Sequence, residues 1–238
     1  MIVEKGVNEK ETMKRFYEFM SKYGHLYKDH ERQFIYDHFL EFLYSPSCAD
    51  ILMQLYGELG VEPKVGSFYN AHLSRIQELY GLDKNILEVG GGRLPTFANK
   101  VAAYQHKLKK GTITMYDPLL LQTKPKFKNL TLHKEDFTID HDIHSYDLVT
   151  GLLPCEATEA IIVSACRAHK DFYVAMCGCS HFQYYDPFGY CSPHMYQNYV
   201  VQLAEDLINE HQMGELVVDY LPDEYEIEYP ILYNRKKW

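Results

Sequence analysis

Ile86-Leu87-Glu88-Val89-Gly90-Gly91-Gly92 decides how this chain is read. An apolar run ends in three glycines, and the helical pattern PTFANKVAAYQHKLKK follows almost at once. That is the start of a strand–loop–helix unit. Glycine lets the backbone turn sharply there and lets a ligand approach the main chain with no Cβ in the way. Downstream, β-rich runs alternate with helical ones: TITMYD, NLTLHKED, YDLVTGLL, EATEAIIVSACRAH, DFYVAMCG, and a helix from about Met195 to His211. Such alternation predicts an α/β fold, a mostly parallel sheet with helices on both faces. ELVVDYL and YEIEYPILYNR then read as a closing hairpin that adds an antiparallel C-terminal strand.

Upstream of Asn85 the period is helical. Met13, Phe16, Tyr17 and Met20 mark one apolar face, and Phe34, Ile35, Phe39, Phe42 and Leu43 mark a second. Ser45-Pro46 interrupts the chain, because a residue before proline avoids helical angles. A third helix is expected from a Ser47 cap through Ile51, Leu52, Leu55 and Leu59 to Gly60. A fourth is expected from near Ser67, through Leu73, Ile76 and Leu79, to Gly81. The predicted division is therefore a helical N-terminal cap over residues 1–84, closing over a substrate, and a ligand-binding domain over 85–238.

The chain holds 24 Lys and Arg against 33 Asp and Glu, a net charge of −9, which weighs against wholesale binding to nucleic acid or to an acidic membrane. Two lysine clusters, Lys107/Lys109/Lys110 and Lys124/Lys126/Lys128, read as solvated faces. No apolar run reaches the length of a membrane span. The six cysteines are irregularly spaced and read as free thiols, so a reducing, cytoplasmic location is expected.

The ligand is read from charge. A nicotinamide dinucleotide wants G-x-G-x-x-G, so that its pyrophosphate meets a helix N-terminus. Here Arg93-Leu94-Pro95 follow Gly92, and a carboxylate, Glu88, stands two residues before the first glycine. That acid repels a pyrophosphate and suits an ammonium group or a cationic sulfonium. The next strand ends in Asp117, placed to accept from two ribose hydroxyls. The third ends in Glu135-Asp136-Phe137. The plainer alternatives are an Asp117-Pro118 turn and a helix cap at Asp136.

Glu88-x-Gly90-x-Gly92 resembles motif I of the class I S-adenosylmethionine-dependent methyltransferases, departing from it at Leu94, where many members carry a further glycine. Tyr146-Asp147-Leu148-Val149-Thr150-Gly151-Leu152-Leu153-Pro154 resembles the motif IV region of that family. Pro154 to Ala160 and Ala175-Met176-Cys177-Gly178-Cys179 are similar to segments in a methyltransferase-like subset of it. The resemblance covers residues from about 85 to about 180 and implies a Rossmann-like sheet with S-adenosylmethionine as cofactor. It implies a cofactor site of Glu88, Gly90, Gly91, Gly92, Asp117, Asp136, Phe137, Gly151 and Leu152, with Asp136 on the adenine amino group and Phe137 packed on the ring. The expected activity is methyl transfer to a small-molecule or protein acceptor. Gly90-Gly91-Gly92-Arg93-Leu94-Pro95 is also similar to the loop of nicotianamine-synthase-type enzymes, which implies aminocarboxypropyl transfer from the same cofactor as an alternative. A non-catalytic binder of that cofactor and an NAD-dependent oxidoreductase are the remaining rivals.

No catalytic residue is singled out; Glu156, His181 and Tyr184 are candidates. Glu156 serves as a base or a substrate anchor in one reading and as a helix cap in the preferred one. His181 and Tyr184 belong to an aromatic loop, residues 181–190, which overhangs the cofactor mouth or packs on itself. Cys155 reads as a small buried residue. Gly151-Leu152-Leu153-Pro154 lacks the Asn/Asp-Pro-Pro-aromatic element of DNA amino-methylases. No metal is expected, the alternative being zinc on Cys177, Cys179, Cys191 and His194, whose C-x-C pair departs from the usual C-x-x-C knuckle. Arg75 or Arg93 pairs with a methionine carboxylate or, in the plainer reading, with surface acids. The oligomeric state is not legible.

Overall fold

The computed structural model describes residues 9–44, 50–59, 68–121, 123–176, 193–220 and 230–236. They fall into two compact units, Met1–Phe68 and Tyr69–Trp238.

The first unit contains α1 (Glu9–Tyr23), α2 (Asp29–Tyr44) and α3 (Asp50–Leu59). Thr12, Phe16 and Met20, spaced four apart, form the buried stripe of α1. The stripe is narrower than the sequence pattern predicts, since Tyr17 is 56% exposed. At the head of α2 the Glu31 carboxylate accepts the Lys28 N–H at 2.8 Å, one half of a capping box. Three rings then run through the core: Phe16 stacks on Phe39 at 4.0 Å, and Phe39 on Tyr56 at 4.6 Å. The Ser45-Pro46 break and the caps expected at Ser47, Gly60 and Ser67 lie outside the described residues.

The second unit opens with α4 (Phe68–Tyr80). Then follow β1 (Asn85–Val89), α5 (Thr96–Leu108), β2 (Thr112–Tyr116), β3 (Leu130–His133), β4 (Leu148–Leu152), α6 (Thr158–Arg167), β5 (Asp171–Ala175), α7 (Pro193–Glu210), β6 (Glu215–Tyr220) and β7 (Pro230–Arg235). The strands form one sheet in the order β3-β2-β1-β4-β5-β7-β6. β1 to β5 are parallel, and β7 runs antiparallel to both β5 and β6. The expected Rossmann-like α/β architecture with its antiparallel finish is what the chain adopts.

Strand alternation separates the two faces. Leu87, Val89, Val149, Phe172 and Val174 turn toward α6 and α7, where they join Ile161, Ile162, Tyr196, Val200 and Ala204 in a core with no solvent exposure to speak of. The intervening residues, Glu88, Thr150 and Tyr173, turn toward α4 and α5. Helix α4 packs on the sheet through His72 and Ile76, both fully buried. The Tyr80 hydroxyl lies 3.2 Å from the Phe172 carbonyl and 2.9 Å from that of Asn234. This is why the sheet's unit begins at Tyr69 and takes in the helix that precedes β1. No helix among the described residues is long and apolar enough to cross a membrane.

Candidate functional site

Strand order reverses between β1 and β4, and in an open parallel sheet the crevice at the carboxyl ends of such a pair receives ligands. The glycine turn occupies that place. The Gly90 N–H donates to the Tyr116 carbonyl at 2.9 Å, and Gly90 adopts φ +70°. A Cβ on Gly90 would stand 2.8 Å from Pro154 Cα, and one on Gly151 would stand 2.8 Å from Pro154 Cγ. Pro154 therefore fills the space of two missing side chains, one on each side of the reversal. It is held there by Leu153 and Cys155, at φ 55° and 47°. Non-glycine residues at positive φ cost on the order of 1–3 kcal/mol each and concentrate at ligand sites.

Glu88 lies directly beneath this turn. It is 1% exposed, and its Oε1 is 2.6 Å from where a Cβ on Gly91 would be. Its carboxyl accepts the Ala98 N–H in the first turn of α5. The chain's own acid thus takes a helix N-terminal donor that a pyrophosphate would need. Among the described residues Glu88 Oε2 has no partner. Burial, with nearby Asp117 adding to it, pushes the Glu88 pKa up to about 8. Asp117, 6% exposed at the end of β2, accepts the Gly92 N–H on Oδ2 and the Leu119 N–H on Oδ1, both at 2.7 Å. It pins the glycine turn to the next loop, and each oxygen keeps a second lone pair. Burial raises its pKa against the pull of those N–H groups and of Arg93.

A polar row continues from Glu88 across the sheet. Pairing register places Met115, Glu88, Thr150, Tyr173 and Tyr233 abreast on the α4/α5 side. His72 closes over the middle of it, its ring edge-on to Phe97 at 5.0 Å and to Tyr173 at 4.9 Å. His72 Nδ1, Tyr173 Oη and Thr96 Oγ1 are buried without partners among the described residues, as is Glu88 Oε2. Sequence reasoning gives His72, Thr150 and Tyr173 no role in the site. The one signal was a histidine three residues after Tyr69 and four before Ile76, on the buried face of α4.

The remaining candidates are distributed as follows. Leu152 ends β4 at 7% exposure, and Asp136 is exposed beyond β3. Phe137 is buried in the α6/α7 core with its ring stacked on His141 at 5.0 Å. Glu156 is exposed in a short turn, Cys155–Ala157, whose start has no side-chain cap. The acid buried at the head of α6 is instead Glu159, 3.3 Å from the Tyr199 hydroxyl. Arg75 pairs with Glu78 at 2.8 Å and Asp219 at 3.0 Å, the plainer of its two readings. Cys155 is half-buried, and neither Cys155 nor Cys166 is in a disulfide. His181, Tyr184, Cys177, Cys179 and Cys191, and the side chain of His194, lie outside the described residues. Among the described residues no group of acids, histidines and cysteines could hold a metal ion.

A scan against protein-family models finds no match, and a search of the curated proteins finds none either. Solved structures do resemble the chain. The antibiotic-resistance methyltransferase Kmr matches 70% of this chain over 93% of its own, at 11% identity and a TM-score of 0.44. Precorrin-6y C5,15-methyltransferase from Geobacter metallireducens GS-15 matches 71% over 87% of its own, at 14% identity and 0.41. The S-adenosylmethionine-dependent methyltransferase SibL, in its apo form, matches 99% over 72% of its own, at 10% identity and 0.46. All three are methyltransferases. Identities and scores of this size carry no conclusion about what this chain does.

Proposed function

We propose that the chain is an S-adenosylmethionine-dependent methyltransferase, acting on a small-molecule or protein acceptor. The observation that carries the reading is Glu88: a buried acid under the glycine turn, with one oxygen on the α5 N-terminus and the other unpartnered. That donor set suits a ligand bringing an ammonium or sulfonium cation to the crevice and leaves a pyrophosphate without its helix donor. The fit to the cofactor is supported by this orphaned oxygen and by the close approach of the Glu88 carboxyl to Gly91, where Oε1 lies 2.6 Å from the place of a Cβ and only a glycine leaves it room.

Glu88 and Gly90 to Gly92 would hold the amino-acid end, Asp117 the ribose hydroxyls, Asp136 and Phe137 the adenine, and Gly151 and Leu152 the reacting end. The bound cofactor supplies an electrophilic methyl group on sulfur. The protein's part is to hold the acceptor in line and exclude water, since proximity and orientation remove about 7–11 kcal/mol of barrier in favourable cases. A cytoplasmic, reducing compartment suits Cys155 and Cys166, neither of which is in a disulfide.

Isothermal calorimetry with S-adenosylmethionine, S-adenosylhomocysteine and NAD on wild type and Glu88→Gln tests the reading. Binding of both sulfur nucleotides, weakened about tenfold or more by the variant, is expected, because a cation bound beside Glu88 favours its carboxylate form over the proton that the ligand-free site holds and so makes the contact charge-assisted. Binding of NAD alone would overturn it. Nucleoside products separate the two transfer chemistries, S-adenosylhomocysteine marking methyl transfer and methylthioadenosine the aminocarboxypropyl alternative suggested by Gly90 to Pro95.

A further inference from the structure

The net charge of −9 conceals a segregation. Residues 89–134 carry nine Lys and Arg against a single acid, Asp117, while the rest of the chain carries 15 against 32. A segment at +8 is thus embedded in a remainder at −17. The fold concentrates it further. The C-terminus of α5, with Lys107, Lys109 and Lys110, lies beside the segment that enters β3, with Lys124, Lys126 and Lys128. The His106 and Phe127 rings are 6.0 Å apart, and Asn129 Nδ2 donates to the Ala102 carbonyl at 3.1 Å and to Gln105 Oε1 at 3.2 Å. All six lysines are exposed. Lys110 Nζ lies 2.6 Å from Asp83 Oδ2, and its side chain is still 69% exposed. β3 is the terminal strand of the sheet, so this corner faces outward from it.

Cations at the end of α5 are favoured by the helix dipole. That account does not extend to Lys124, Lys126 and Lys128, which precede a strand. A merely solvated face intersperses both signs. We propose that this corner is a docking surface for the phosphate backbone of a single-stranded nucleic acid. Six exposed ammonium groups supply sequence-independent attraction to a phosphate chain, and the exposed His106 and half-buried Phe127 set rings among them on which bases can stack. An acidic lipid surface fits less well, because Leu108, 49% exposed, with the half-buried Phe127 gives no continuous apolar face to insert. The corner lies at the ends of β2 and β3 opposite the glycine turn, and the proposal does not depend on the cofactor.

The test is fluorescence anisotropy of the full chain with a labelled single-stranded RNA of about 20 nucleotides at about 50 mM salt. Wild type is compared with the triple variant Lys124→Glu/Lys126→Glu/Lys128→Glu and with Lys10→Glu/Lys14→Glu/Lys22→Glu, an equal charge change at exposed positions of α1. The first triple is expected to weaken binding tenfold or more and to lower the salt slope by about 2, at roughly 0.7 per phosphate contact. The second is expected to change affinity less than about twofold. Lys124→Gln/Lys126→Gln/Lys128→Gln gives the same readout should the glutamates impair folding. Absence of wild-type binding, equal losses in both triples, or capture by phosphatidylserine vesicles without RNA binding would each overturn the proposal.

Discussion

His72 Nε2 lies 3.0 Å from Thr150 Oγ1, and that hydroxyl already donates to the Tyr173 carbonyl at 2.7 Å, so the imidazole is the donor between them. This fixes the proton on Nε2 and leaves Nδ1 a bare acceptor, fully buried and unpartnered. Burial lowers the His72 pKa to about 3. Between that value and the ordinary 6.5, the unfolded chain takes a proton that the folded chain refuses. Stability from this group is therefore complete above pH 6.5 and lost as pH falls, with a slope of up to about 1.4 kcal/mol per pH unit. His72→Phe is expected to flatten the fall in Tm between about pH 7 and pH 4; parallel profiles for the two proteins would remove His72 from the account.

Glu88 works in the opposite direction. Its folded pKa of about 8 stands above the ordinary 4.5, so from pH 4.5 to 8 the native state keeps a proton that the unfolded state has released. Stability falls as pH rises through that window, again by up to about 1.4 kcal/mol per unit. Glu88→Gln keeps an acceptor for the Ala98 N–H and removes the titration. Urea unfolding at about pH 5, 6.5 and 8 should show the variant gaining on wild type with each step, and a constant difference would count against a protonated Glu88.

Asp117→Ala strips an acceptor from two N–H groups at once, those of Gly92 and Leu119. Each donor left unsatisfied costs about 1–3 kcal/mol, so the variant should lose stability even with no ligand present. An unchanged urea midpoint would mean that water replaces the carboxylate at no cost.

Gly90→Ala and Gly81→Ala form a contrasting pair. Both glycines have positive φ, +70° and +77°. A Cβ at Gly81 meets nothing nearer than Asp83 Oδ1 at 3.1 Å, whereas one at Gly90 meets the Pro154 backbone at 2.8 Å. The first should cost about 1–2 kcal/mol, the left-handed penalty alone. The second adds overpacking of about 1–3 kcal/mol. Equal losses in chemical denaturation would show that Pro154 yields freely.

The parallel sheet, the glycine turn and the closing hairpin were legible because each is written in a contiguous stretch. The interior of the site is not contiguous. Nothing local to His72 says that it meets Thr150, 78 positions away. Pro154 reaches the glycine turn only because Leu153 and Cys155 take left-handed angles that sequence rules reserve for glycine. Glu88 was read correctly as an acid at the turn, but its bond to the head of α5 depends on the packing of β1 against that helix. Tyr17 was assigned to a buried face from its neighbours, and the stripe of α1 turned out to be one residue narrower. The whole-chain charge is silent on the lysine corner for a related reason: a sum carries no information about where its terms lie.

The antiparallel strand has a consequence for synthesis on the ribosome. β7 follows β6 in sequence, yet it sits between β5 and β6, with the Asn234 side chain accepting the Phe172 N–H at 2.8 Å. Until residues 230–235 have been translated and have emerged from the exit tunnel, β5 remains an open edge, and a growing chain with such an edge depends on chaperones or rapid completion to avoid pairing with a neighbour.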